Sequence, residues 1–600
     1  MKKCHIILIF SLSATGTAAV AQTNMSVTPA VVNNILLGNY TPSTYQATTV
    51  ITDPNTISAG LMQNISADSL TAYMIALNSF QNRNTFSDTT STTFGIGASR
   101  RWVYNKFLQY SQATGSRLQA GYLKFTYNPA SASCSESPSI QTHYDVLAVL
   151  PGSQVANPAL VIIEAHIDSR NVDNCDVNGS APGIGDNATG TAMVLELARV
   201  MSKYTFRSTI VFAVNTGEEQ GLIGAHALAN YLDALNVPIK AVNNNDVSGG
   251  IFCGHTASAP GCPFYGSLDS IDLRIFSLGD INSPNKQWAR YVKLENKEQL
   301  SNIVPIPTII QIMENDDRIG RGGDHQAFTK NGYTAVRFTQ ANEDGDANSD
   351  STGYTDRQHS IRDSLGHIKS GVYDSFYVNA RYLARNSLVN ANSLAMVALG
   401  PDTISMTGTL WTANTVQVKL SPAGAPAYRV AIRSTTNDWD SVYTVTGTTT
   451  AILTLPYGAN TKFYISAAAV DANGTESQFS TEWQLTTGMV VLDLTTDTTQ
   501  PTPPPLPGYY GIQLLPNRPN PFDESTLITV TAGTDLFANR ACLLFTGIDG
   551  RVISRVPITL HQGTNQVVYN HGFSASGIYI CTLLIDGLPV QSTKMIFGRR

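Results

Sequence analysis

Leu70, Tyr73, Met74, Leu77 and Phe80 recur at three- and four-residue intervals, which puts them on one face of a helix starting near residue 66. Trp102, Val103, Phe107 and Tyr110 repeat that spacing, so two amphipathic helices come early and each needs an apolar surface to cover. The rhythm then shortens. Apolar or β-branched runs at Tyr144 to Leu150, Ala159 to Ile163, Thr209 to Val214 and Thr334 to Phe338 predict strands. Helical patterns over roughly 188–204 and 221–232 follow two of them. Strands alternating with helices predict an α/β domain with a mainly parallel central sheet flanked by helices. Ligands of such sheets gather beyond the carboxyl ends of the strands.

Near Gly400-Pro401 the pattern changes to short strands and turn residues, with Val416 to Leu420, Tyr428 to Ile432, Ala451 to Leu455 and Phe463 to Ala468 as candidates. That predicts the first of two all-β sandwich domains, over 401–490. Residues 491–508 are rich in Thr and Pro and read as a stiff linker, and the second all-β domain fills 509–600. At the other end, Lys2 and Lys3 precede an apolar run from Ile6 to Phe10 and a small-residue stretch closing on Ala19-Val20-Ala21, the pattern of a cleaved signal peptide over 1–21. No later stretch is long and apolar enough for a transmembrane segment. The expected location is therefore outside the inner membrane, with 22–400 as the α/β domain. A net charge of −6 with 14% charged residues argues against a nucleic-acid partner. Six cysteines follow the signal, an even set for an oxidising compartment. Cys253 with Cys262, Cys134 with Cys175 and Cys542 with Cys581 are the expected disulfides.

The polar groups at the strand ends carry the candidate chemistry. The strand Ala159 to Ile163 runs into His166-Ile167-Asp168, where a histidine sits beside a carboxylate able to orient it; an ordinary hydrogen-bonded histidine would look the same. Gly183-Ile184-Gly185-Asp186-Asn187 opens a helix, either projecting Asp186 into a cleft or capping the helix. Gly217-Glu218-Glu219-Gln220-Gly221-Leu222 follows another strand. Adjacent carboxylates at a buried site need cations or different protonation roles, although a solvated loop tolerates them too. Asn245-Asp246, Asp324-His325 and His359-Ser360-Ile361-Arg362-Asp363-Ser364 complete the series. His, Asp and Glu groups at successive strand ends are the ligand types that zinc prefers.

These motifs, in this order, resemble those of the co-catalytic zinc exopeptidases that include secreted bacterial leucine aminopeptidases, glutamate carboxypeptidases and glutaminyl cyclases. The resemblance covers about residues 60 to 395. It implies two zinc ions per chain bridged by Asp186, with His166 and Asp246 completing one site and Glu219 and His359 the other. It further implies that Glu218 is the general base, that Asp168 orients His166, and that a cis peptide follows Asp186. His359 is preferred to His325 as the last ligand because His359-Ser360-Ile361-Arg362-Asp363-Ser364 matches the family's closing motif apart from two Thr-to-Ser changes.

Two further resemblances bear on the β-rich end. Residues 401–490 resemble a fibronectin type III module. Leu515-Pro516-Asn517-Arg518-Pro519-Asn520-Pro521-Phe522, Asp549-Gly550-Arg551, Gly577-Ile578-Tyr579 and Lys594-Met595-Ile596-Phe597 resemble the sorting domain of the type IX secretion route. That implies export through the periplasm, a secretion machinery as partner, and a secreted or cell-surface product. The expected activity is aminopeptidase action on peptide substrates. The alternatives are carboxypeptidase action, with Arg318, Arg321 or Arg337 receiving the substrate carboxylate, glutaminyl cyclisation, or a non-catalytic surface-binding protein.

Overall fold

The early helices form where the apolar spacing places them, at Ala67–Asn78 and Gly95–Ala113. Ser66 caps the first by accepting the Ser69 N–H. In this computed structural model the described residues are 22–598 apart from 129–140, 156–157, 253–266, 280–281, 319–320, 342–356, 370–371, 423, 437, 459, 489–511, 523–524, 534–535, 549, 571–575 and 586–587. The expected signal peptide and linker lie outside them.

In chain order the α/β part comprises β1 (Thr23–Thr28), α1 (Ala30–Leu36), α2 (Pro54–Asn64), α3 (Ala67–Asn78), α4 (Gly95–Ala113), β2 (Gln119–Tyr127), β3 (Gln141–Leu150), β4 (Leu160–His166), α5 (Thr189–Met201), β5 (Thr209–Asn215), α6 (Ile223–Ala234), β6 (Ile239–Asn245), β7 (Asp272–Ser277), α7 (Pro284–Glu295), β8 (Ile309–Ile312), α8 (His325–Lys330), β9 (Ala335–Gln340) and α9 (Ala380–Leu399). The nine strands form one sheet in the order β1-β2-β3-β5-β4-β6-β9-β7-β8. Its heart, β5-β4-β6-β9, is parallel as expected. The flanks are mixed: β1-β2, β2-β3, β3-β5 and β7-β9 pair antiparallel, and β7-β8 parallel. Every residue of β4 and β5 is buried, which is why each carries a continuous apolar stretch, Leu160 to Ile163 and Ile210 to Val214, with no alternation.

After residue 404 the described residues form strands only, in sheets of three, four, three and four strands. Seven strands fall between Ser405 and Thr486, and seven more between Gln513 and Phe597. The chain divides into two compact units, and the first does not close at residue 400: it takes in residues 422–447 and 467–481 as well. Ala431, Ala468 and Phe479 belong to the same apolar core as Trp288 and Tyr291 of α7.

The expected Cys542–Cys581 disulfide is absent, since both thiols are free. Cys581 lies directly across from Phe545 on the neighbouring strand, and Cys542 is three residues from Phe545. With a side-chain period of two, the sulfurs point to opposite faces of the sheet. Cys175 is disulfide-bonded, while Cys134, Cys253 and Cys262 lie outside the described residues.

Candidate metal centre

Because β5, β4 and β6 are parallel neighbours, their carboxyl ends deliver three motifs side by side. β4 ends on His166, β5 runs through Asn215 into the Glu218-Glu219 turn, and β6 ends one residue before Asp246. Gly217 makes the turn after β5 possible, for its φ is +86° and an added Cβ would meet the Ile223 side chain at 2.9 Å. Asp186 enters from the segment preceding α5, and the Asp186-Asn187 peptide is cis.

The resulting geometry is two triads sharing one carboxylate. His166 Nε2 stands 3.2 Å from Asp186 Oδ1 and 3.3 Å from Asp246 Oδ1. His359 Nε2 stands 3.0 Å from Asp186 Oδ2 and 3.2 Å from Glu219 Oε2. In each triad one ligand atom per residue lies within 4.8 Å of the others. Burial alone would raise the Asp186 carboxyl, yet its bonds with His166 and His359 hold it well below the ordinary range. Burial would likewise lower the His359 ring, but Glu219 and Asp186 push it up to about 9. His166 is held well above its ordinary value against burial by Asp168, Asp186 and Asp246. Glu219 Oε1 is buried with no hydrogen-bond partner. Three carboxylates and two imidazoles converging this closely, with a carboxylate oxygen still unpaired, fit a pair of divalent cations of the zinc type.

The supporting residues differ in part from expectation. His166 Nδ1 is 3.1 Å from the backbone oxygen of Asp168 and 3.6 Å from its carboxylate. The carboxylate of Asp168 mainly holds the turn after β5, accepting the Gly217 and Glu218 N–H groups at Oδ1 (2.8 and 3.3 Å) and the Glu219 N–H at Oδ2 (3.1 Å). Glu218 is half-buried, and burial lifts its carboxyl well above the ordinary range, with His166 opposing the shift and Asp246 and Glu219 adding to it. His325 stands apart from both triads, with Nε2 3.0 Å from the Asp316 backbone oxygen and 3.8 Å from Asp317.

Three residues without a role in the sequence reading, Asp363, Arg83 and Arg170, shape the centre, as does Arg337, expected there only as a receptor for a substrate carboxylate. Asp363 accepts the Gly185 and Asp186 N–H groups at 2.7 and 2.9 Å and so fixes the loop that presents Asp186. Its place four residues after His359 was the available signal. Arg83 is fully buried and donates to the carbonyls of Ile167, Pro182 and Gly183, tying two ligand loops together. Arg170 donates to Glu219 Oε2 at 2.8 Å, and Arg337 pairs with Asp246 Oδ2 at 3.1 Å.

A sequence model described as Peptidase family M28 matches residues 145–251. A Leptosphaeria maculans protein named "Probable zinc metalloprotease" is 31% identical over 350 residues, spanning 57% of this chain and 76% of its own length. The chain belongs to peptidase family M28. A Phaeosphaeria nodorum protein with the same description is 30% identical over 412 residues, 64% of this M28 chain and 79% of its own. Among solved structures, the LapA aminopeptidase of Legionella pneumophila aligns over 60% of this chain and 78% of its own, at 16% identity and a TM-score of 0.40. The M28 match spans β4, β5 and β6 and so contains His166, Asp168, Asp186, Glu218, Glu219 and Asp246. His359 lies beyond it and joins them only through the fold.

Proposed function

We propose that this M28 chain is a secreted, zinc-dependent aminopeptidase that hydrolyses N-terminal residues from peptides. The reading is carried by the two donor triads that share Asp186, with Glu218 beside them. His166 and Asp246 would hold one zinc and Glu219 and His359 the other, with Asp186 common to both donor sets. Zinc bound there would polarise the scissile carbonyl and acidify water. Glu218, with its raised carboxyl, accepts the proton from the attacking water and returns it to the departing amine. Asp168 and Asp363 keep the turn after β5 and the Asp186 loop in register for that transfer.

Carboxypeptidase action has less support. Of the three arginines expected to receive a substrate carboxylate, Arg318 and Arg337 are themselves within 3.1 Å of Asp317, and Arg337 also pairs with Asp246, so the alternative rests on Arg321, which lies beside the centre at 3.3 Å from Gln358 Oε1 and from His359 Nε2. We further assign residues 401–490 as a fibronectin type III-like module and 509–600 as a secretion sorting domain, on the motifs quoted above. No helix among the described residues is long and apolar enough to cross a membrane.

The test is zinc content together with hydrolysis of free and N-blocked peptides, with and without chelator. The expected result is about two zinc ions per chain and chelator-sensitive release from free N-termini only. Activity on N-blocked peptides would instead indicate carboxypeptidase action, and protein unable to bind zinc would remove the mechanism.

A further inference from the structure

Beside the two triads is a small cavity of about 20 Å³ whose lining includes Gly185, Val247, Gly250, Gln340, Arg357 and Tyr377. Gly185 directly precedes Asp186 and Val247 directly follows Asp246, so the cavity adjoins both ends of the ligand set. Arg357 is two residues from His359, on the same loop.

We propose that this pocket receives the side chain of the substrate's N-terminal residue and selects an acidic one, aspartate foremost, through the Arg357 guanidinium. The inference rests on the aminopeptidase reading of the adjoining site. Three observations support it. First, the volume is little more than the roughly 15 Å³ that one water requires, so the pocket admits only a short side chain and no aromatic ring, and the choice among short side chains falls to its polar groups. Second, its polar lining is biased toward donors. A guanidinium has N–H donors and no acceptor. The Gln340 amide is buried and its Oε1 accepts the Gly250 N–H, which leaves its NH₂ as the group available to a ligand. The lining carboxylate, Asp363, has an oxygen on each of two backbone N–H groups, and the Arg83 charge opposes its own. Third, the guanidinium is pre-positioned, lying 3.6 Å from the centroid of the Tyr377 ring. Stacking on an aromatic face fixes the plane of the fork and reduces the ordering required when a carboxylate binds.

The test uses the zinc-loaded full chain in two measurements. Calorimetric binding of free aspartate, asparagine and leucine should rank aspartate at least about tenfold tighter than asparagine, because a charge-assisted contact is lost in the amide. Arg357→Gln should bring that ratio close to one, and Arg357→Lys should restore part of it. Parity in the wild type, tighter leucine, or a ratio untouched by Arg357→Gln would overturn the pocket assignment. In parallel, kcat/KM on peptides beginning with Asp, Asn and Leu should follow the same ranking. Aspartate-selective binding without hydrolysis of any free N-terminus would uphold the pocket and overturn the aminopeptidase reading, whereas hydrolysis with leucine preferred would do the reverse.

Discussion

Asp168 shows how one side chain serves two parts of the centre. Its carboxylate accepts the N–H groups of Gly217, Glu218 and Glu219, so it sets the positions of the proposed base and of one proposed ligand, while its backbone oxygen faces His166. Asp168→Asn replaces one acceptor oxygen by a donor, and zinc affinity should fall roughly 10- to 100-fold, measured by competition with a chromogenic chelator. Glu218→Gln should separate binding from turnover. It keeps the shape and both triads, so zinc content should persist while kcat drops by about 10² to 10⁴. His359→Ala should lower the zinc content from two toward one per chain, whereas His325→Ala should leave it unchanged, since His325 faces Asp316 and Asp317. Three of the proposed ligands were legible because they follow apolar strands, His166 after β4, Glu219 after β5 and Asp246 after β6, while Asp186 and His359 were legible only by motif. Arg83 and Arg170 were not legible, since an isolated arginine carries no signal of what it faces; Arg83 reaches its carbonyls across about a hundred residues of chain, and Arg337, expected to meet a substrate, faces Asp246 and Asp317.

Among the elements, those of the sheet's parallel heart announced themselves and the margins did not. β7 reads Asp-Leu-Arg-Ile-Phe-Ser and carries a fully buried Arg274, so its sequence lacks the apolar continuity of β4. α7, Pro-Asn-Lys-Gln-Trp-Ala-Arg-Tyr-Val-Lys-Leu-Glu, is polar in composition yet mostly buried. Trp288, Tyr291 and Val292 form its apolar stripe in the core, while Trp288 donates to Asn243 and Lys286 donates to the Glu314 carbonyl, at 2.8 Å each, so polar groups beside the stripe are buried with partners. At the end of α7, Glu295, Glu298 and Glu476 gather with Tyr291 around Arg429, which pairs with Glu298 and Glu476 at 2.7 Å each. Burial pushes the Glu476 carboxyl up to about 7, with Arg429 opposing and Glu298 adding to it. A carboxyl raised above its unfolded value favours the fold fully below about pH 4.5, and that contribution is lost as pH rises through 7. Glu476→Gln should therefore raise the melting temperature at pH 8 more than at pH 5. The differential approaches about 3 kcal/mol at full ionisation.

At the scale of the molecule, the change of pattern at Gly400 is real in sequence but does not bound the first compact unit. Gln478 donates to the Lys240 carbonyl at 2.7 Å, Tyr291 donates to the Glu476 carbonyl at 3.4 Å, and Phe479 sits in the peptidase core. A chain ending at residue 400 strips these partners from α7 and β6 and should be insoluble or melt well below the intact protein. A chain ending at residue 488 keeps them and should retain zinc content and hydrolysis, with the two compared by calorimetry and peptide turnover. That sealing by residues 467–481 also sets a timetable. Ribosomes add roughly 5 to 20 residues each second, so some 4 to 16 seconds separate the appearance of the last α/β helix from that of Phe479. For that interval the α/β half is synthesised without the segment that covers α7, and its core lacks Phe479 until that segment arrives.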